Sequence, residues 1–165
     1  MSETTKSHNE TTPDDVSKAT DRLRNLCSRR ECCSWDILKK AATYLSGDKD
    51  AAERILQTLQ AEKYVDDLRY ATAYAREKAM IAGWGETKIR YMLSAKRIPR
   101  DVVSQALTEI DEGKADSRLQ KLLENKARSL KDDPQIRLKL LRFALGRGYQ
   151  YDDIVPVIDS TLNFR

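Results

Sequence analysis

The sequence predicts an all-α protein built as three tandem three-helix repeats in an elongated, curved array. Three observations carry that expectation. Apolar residues recur at steps of three and four from Pro13 onward, and no useful stretch alternates with period two. Ser, Asp, Pro and Gly fall where such helices would begin and end. A shift of 51 residues lays Lys96-Arg97-Ile98 on Arg147-Gly148-Tyr149, Val103 on Ile154, and Ala106-Leu107 on Val157-Ile158. A unit of ~50 residues buries little surface alone, so neighbours must stack to cover the faces each leaves open.

Taken in order, residues 1–13 read as a disordered tail, because Met1 is the one large apolar residue in MSETTKSHNETT and cannot offset the entropy of ordering. Repeat one, 14–65, holds a helix on Val16, Ala19, Leu23 and Leu26. A second is capped by Ser34, carries Ile37, Leu38, Ala41 and Leu45 and ends near Gly47. A third, opened by Asp48 or Asp50, carries Ala52, Ile55, Leu56 and Leu59. Repeat two, 66–112, restarts at Asp66-Asp67 with Tyr70, Ala71, Tyr74 and Ala75 and stops at Gly83. A short helix with Ile89, Met92 and Leu93 follows, then one begun by Pro99 at its first position and carrying Val102, Val103, Ala106, Leu107 and Ile110. Repeat three, 113–165, follows the punctuation of Gly113. Asp116 caps a helix with Leu119, Leu122, Leu123 and Leu130. Pro134 opens the next, whose apolar line is Leu138, Leu141 and Leu145 and whose end is Gly146 or Gly148. Asp152 caps the last, with Ile154, Val155, Ile158 and Leu162; its Pro156 lies close enough to the start to be tolerated.

Composition narrows the function classes. The richest apolar stretch, Leu138 to Leu145, is interrupted by Lys139 and Arg142 and falls far short of the ~20 residues a membrane span requires. No membrane partner is expected. Cys27, Cys32 and Cys33 form no C-x-x-C pair, and the single histidine, His8, lies in the tail, so neither a closed zinc site nor a Cys–His nucleophile is expected. An odd number of thiols points to a reducing, cytoplasmic setting, with Cys27 a small buried hydrophobe. Gly83-Trp84-Gly85 lacks the Lys-Ser/Thr of a phosphate loop and follows a helix rather than a strand. No paired carboxylates stand apart from helix caps. The expectation is a protein without catalytic residues, cofactor or metal.

The charge is unevenly spread. Residues 76–100 hold seven basic side chains against two acidic ones, and 118–147 hold nine against three, whereas acids gather at helix starts, where they interact favourably with the macrodipole. The candidate contact residues are Arg76, Lys78, Lys88, Arg90, Lys96, Arg97 and Arg100 in the first block. In the second they are Lys121, Lys126, Arg128, Arg137, Lys139, Arg142 and Arg147. Such blocks suit a nucleic acid or an acidic protein groove, or they are solvated helix faces of a highly charged chain.

One stretch is more specific. Tyr64-Val65-Asp66-Asp67-Leu68-Arg69-Tyr70-Ala71, then Gly83-Trp84-Gly85-Glu86-Thr87-Lys88-Ile89-Arg90-Tyr91-Met92-Leu93, then Lys96-Arg97-Ile98, resembles the middle repeat of the RecX regulatory proteins of bacteria. Arg142-Phe143 and Arg147-Gly148-Tyr149 are similar to that family's closing Arg-Gly-aromatic turn. The motif positions are Asp66, Asp67, Arg69, Gly83, Gly85, Ile89, Leu93, Lys96 and Ile98. Arg97 departs from the pattern, standing where the family has Gly; if that position needs a positive φ, the turn is built differently here. The resemblance implies three three-helix repeats that lie along the groove of the RecA filament on single-stranded DNA. Such a protein inhibits strand exchange, ATP hydrolysis and coprotease activity, and so regulates DNA repair, recombination and the SOS response. The implied partners are the RecA filament and single-stranded DNA, direct or through the filament, with the protein itself a monomer. The competing readings are a helix-turn-helix-like DNA-binding protein, with Lys88–Arg100 as its recognition region, and a helical adaptor with no nucleic-acid role. Within the motif, Asp66 and Asp67 are expected to cap a helix and Arg69 to pair locally, while Trp84, Tyr70 and Tyr74 are expected to pack between helices.

Overall fold

Thr12 starts the first helix with a reciprocal cap: its Oγ1 accepts the Asp15 N–H at 3.1 Å while the Asp15 carboxylate accepts the Thr12 N–H at 3.0 Å. The computed structural model describes residues 10–163; the first nine residues of the expected tail, His8 among them, lie outside the described residues. The helices are α1 (Pro13–Arg29), α2 (Ser34–Tyr44), α3 (Lys49–Ala61), α4 (Asp67–Glu77), α5 (Glu86–Ala95), α6 (Arg100–Thr108), α7 (Glu112–Ser129), α8 (Ile136–Gly146) and α9 (Tyr151–Asn163). A π-helical turn, Lys78–Ala82, prolongs α4, and there is no strand among the described residues. The fold is all-α and built from repeated helical units.

The chain forms two compact units that meet between Tyr70 and Ala71. The first closes α1, α2 and α3 around Leu23, Ile37, Ile55 and Leu59, each at most 1% exposed. The second buries Ile89, Leu93 and Val103 of α5 and α6, and a separate cluster of Leu119, Leu123, Leu140, Ala144, Ile154 and Ile158 in α7, α8 and α9. Each such leucine, isoleucine or valine contributes ~1.5–3 kcal/mol by leaving water.

The 51-residue period reappears in the backbone. At the ends of α2, α5 and α8 the residues Ser46, Arg97 and Gly148 take φ of 55°, 55° and 90°. After each, one N–H reaches five residues back: Gly47 to Ala42 O at 2.7 Å, Ile98 to Leu93 O at 3.4 Å, and Tyr149 to Ala144 O at 3.2 Å. These are three Schellman closures in the same register. Ala52, Val103 and Ile154, also spaced by 51, are all fully buried on the helix that follows.

Several expected boundaries move. The cap of α7 is Asp111, whose carboxylate accepts the Lys114 N–H at 2.9 Å, so Gly113 and Asp116 lie inside the helix and do not delimit it. Pro99 is the N-cap of α6, not its first residue, and Cys33 rather than Ser34 caps α2. α8 begins two residues after Pro134, because Asp133 accepts the Gln135 N–H at 2.8 Å and holds a turn there. α9 starts at Tyr151, with Asp152 in its first turn. The most consequential difference is the face of α8. Its core side is Leu140 and Ala144, while Leu138 and Leu145, expected inside, are 41% and 44% exposed. α8 is apolar on most of its circumference, so spacing could not choose a side; the closure that joins Ala144 to Tyr149 does.

Candidate functional site

The motif that opens α4 is occupied by local structure. Asp66 accepts the Arg69 N–H at 2.9 Å, capping the helix. Asp67 reaches back to accept the Ser34 N–H at 2.7 Å, supplying the cap that α2 lacks from its own sequence. Arg69 donates through Nε to both oxygens of Glu31, at 2.7 and 2.9 Å, and through its other nitrogens to the carbonyls of Lys63 and Tyr64. The guanidinium thus ties the turn before α4 to the α1–α2 connection.

Gly83-Trp84-Gly85 sits where α4 ends and α5 begins. Gly83, at φ 66°, terminates the π turn; a Cβ there would lie 2.7 Å from Leu122 Cδ1. Gly85 donates its N–H to Arg147 O at 2.8 Å and Thr87 donates to Gly148 O at 3.1 Å, so the turn after α8 satisfies the orphan donors of α5. A Cβ on Gly85 would stand 2.4 Å from the Gly148 backbone, and one on Gly148 would stand 2.3 Å from Lys88 Cβ. Backbone meets backbone here, and only glycine fits on either side. Trp84 is half-buried between Lys78 and Lys88, whose ammonium groups lie 5.2 and 4.3 Å from its ring centroid, with Tyr74 edge-on at 6.5 Å. Burial pushes the Tyr74 hydroxyl above its ordinary value, against the opposing pull of Lys78 and Lys96.

The candidate cations divide into two groups. Lys78, Lys88, Arg90, Lys126 and Arg147 are engaged in the fold. Arg90 donates to Glu86 at 2.7 Å and to Ser104 Oγ at 3.0 Å. Lys126 and Arg147 both lie over Phe143, at 5.4 and 4.9 Å. Arg147 also donates to Ala82 O at 2.7 Å, meeting one of the carbonyls that the π turn leaves open. Arg118, which sequence reasoning did not single out, does the same for Ile81 O at 3.0 Å; the contact spans 37 residues and leaves no local signature. Lys96 is half-buried, and its charge acts on the Tyr74 hydroxyl.

The others face solvent. Arg76 pairs with Glu109 at 3.6 Å, Arg137 with Asp159 and Lys139 with Asp133, exposed pairs that contribute little to stability. Arg97, Arg100, Lys121, Arg128 and Arg142 are exposed. Among the described residues, no ion pair includes Arg100, Lys121 or Arg142. A cleft of about 400 Å³ in the second unit is lined by Glu86, Glu112, Asp116 and Asp153 beside Trp84 and Tyr149, an acidic rim unsuited to phosphate. Among the described residues no group of three or more His, Cys, Asp or Glu could hold a metal ion, and no helix is long and apolar enough to cross a membrane.

The family model for the second three-helix domain of RecX matches residues 66–107, and that for its third three-helix domain matches 115–158. A regulatory protein RecX of Vibrio parahaemolyticus is 35% identical over 133 residues, covering 78% of this chain and 82% of that protein. One of Clostridium botulinum is 34% identical over 121 residues, covering 71% of this chain; the chain spans only 56% of that relative's length. The crystal structure of RecX from Lactobacillus salivarius superposes with a TM-score of 0.79 over 92% of this chain and 99% of that one; at 23% identity the likeness concerns the fold.

Proposed function

The chain belongs to the RecX family of regulatory proteins, and from that premise we propose that it is a negative regulator of the RecA recombinase. It binds along the groove of the RecA filament on single-stranded DNA and inhibits ATP hydrolysis, strand exchange and coprotease activity. It does so by binding, not by chemistry of its own, as a cytoplasmic monomer whose repeats divide at 14–65, 66–112 and 113–165. The observation that supports this reading is the separation of its cations. One set, around Trp84 and Arg147, is bound into the fold, which leaves Arg100, Lys121, Arg128 and Arg142 exposed for polyanionic or acidic surfaces.

The test is anisotropy of a labelled single-stranded oligonucleotide, bare and coated with RecA. Reversing Arg100, Lys121 and Arg142 to Glu should weaken filament binding by about a hundredfold with unchanged helicity. Equal filament binding by wild type and variant would remove these residues from the contact. Tight, sequence-specific binding to duplex DNA with no effect on the filament would favour the helix-turn-helix reading instead.

A further inference from the structure

The exposed apolar side chains of the molecule are not scattered. Of the six large ones among the described residues, Tyr44, Tyr91, Leu138 and Leu145 lie on α2, α5 and α8, the helices that end in the three Schellman closures. Tyr91, 73% exposed, stands 51 residues before Arg142, so the same outward position recurs from α5 to α8.

On α8 the pattern is complete enough to read. Leu138, Leu141 and Leu145 follow a three–four spacing, the register in which one helix offers a seam to another. Leu141 is half-buried against the α7–α9 core, and its two neighbours stand clear of it. Of this line the fold uses only Leu141. Leu140 and Ala144 face the core, Phe143 lies under Lys126 of α7, and Arg137 pairs with Asp159 of α9. α8 contains no acidic residue. Asp159 and Asp133 answer Arg137 and Lys139, whereas Arg142, beside the seam, is exposed and in no ion pair among the described residues.

We infer that the outward face of α8, Leu138–Leu141–Leu145 with Arg142 on its flank, is a docking seam for an acidic amphipathic helix of a protein partner. The partner helix supplies apolar side chains to the leucines and a carboxylate to Arg142. Charge complementarity selects this occupant: a cation beside the leucines calls for an acid beside apolar knobs. A nucleic acid would need a row of cations where the leucines stand. The inference rests on the reading that the chain binds the RecA filament, whose protein subunits would carry the helix; the nucleic acid would then be met by other cations.

The experiment compares wild type, the double variant Leu138→Ser/Leu145→Ser, Arg142→Glu and the volume-conserving pair Leu138→Met/Leu145→Met. Each is titrated against RecA-coated and bare labelled oligonucleotide, with helicity and sedimentation measured alongside. Because the substituted residues are exposed, the fold should persist. The serine pair and Arg142→Glu should each lose about tenfold or more in filament affinity, the methionine pair should keep it, and binding to bare oligonucleotide should not change with the serine pair. Filament binding by the serine pair equal to wild type would overturn the seam while leaving the filament reading intact. So would an equal loss on bare oligonucleotide, which would make the face a nucleic-acid surface, or a wild-type dimer dispersed by the serine pair, which would make it a self-interface. Failure of wild type to bind the filament would overturn both.

Discussion

At Arg97 a side chain occupies the left-handed backbone that Gly148 occupies one period later, with φ of 55° against 90°. A β-carbon in that region costs roughly 1–2 kcal/mol, partly offset by the greater entropy glycine would give the unfolded chain. Arg97→Gly should therefore raise stability by about 0.5 kcal/mol in urea unfolding. Gly148 has no such freedom, because a Cβ there would strike Lys88 at 2.3 Å and its backbone nitrogen at 2.5 Å. Gly148→Ala should lower stability by about 2 kcal/mol or more, seen as an earlier urea midpoint. The pair of substitutions separates conformational strain, shared by both positions, from steric closure, which belongs to Gly148.

Between elements, stability comes from termini that cap one another. Asp67 caps α2, the α8–α9 turn caps α5, and Arg147 and Arg118 meet carbonyls of the π turn. Arg147→Met keeps the packing over Phe143 and removes the donor to Ala82 O; it should cost about 1–2 kcal/mol by thermal or urea unfolding. Carboxylates at such points lie below their ordinary values. Hydrogen bonding holds them there: Asp15 to Thr12, Asp48 to the Ala51 N–H, Glu62 to Arg24, and Asp133 to Lys139. A depressed folded-state pKa means that these contributions are present above the ordinary values of 3.8 and 4.5 and vanish as pH falls through the lower folded values. The melting temperature should be flat from about pH 7 to pH 5 and drop below about pH 4.

What could be read from the sequence follows the same division. Local devices were legible: Asp48 as one of two candidate caps, Gly83 as a terminator, the 51-residue register, and the helix content itself. Devices that join distant segments were not. The clasp of Gly85 on Gly148 and the reach of Arg118 to Ile81 depend on how helices stack, and no spacing encodes them. Asp111 was hidden by Gly113, because a glycine in a first turn looks the same as one that ends a helix. The face of α8 was lost for the opposite reason, an excess of leucine. Within the basic blocks, sequence could find the charge but not divide structural cations such as Arg147 from exposed ones such as Arg142.

For the molecule as a whole, the proposal is that a RecX-family chain acts on a nucleoprotein filament with side chains its own fold does not consume. Its basic residues are then functionally unequal. Reversing the exposed cations should abolish inhibition without unfolding, whereas removing Lys88 or Arg147 should destabilise the second unit first and weaken inhibition only as a consequence. Circular dichroism and inhibition measured on the same samples distinguish these outcomes. The central claim is tested most directly by titrating the protein into RecA hydrolysing ATP on single-stranded DNA. The account predicts that hydrolysis falls at substoichiometric protein and that the triple charge reversal restores it; undiminished hydrolysis at an excess of folded protein over RecA would contradict it.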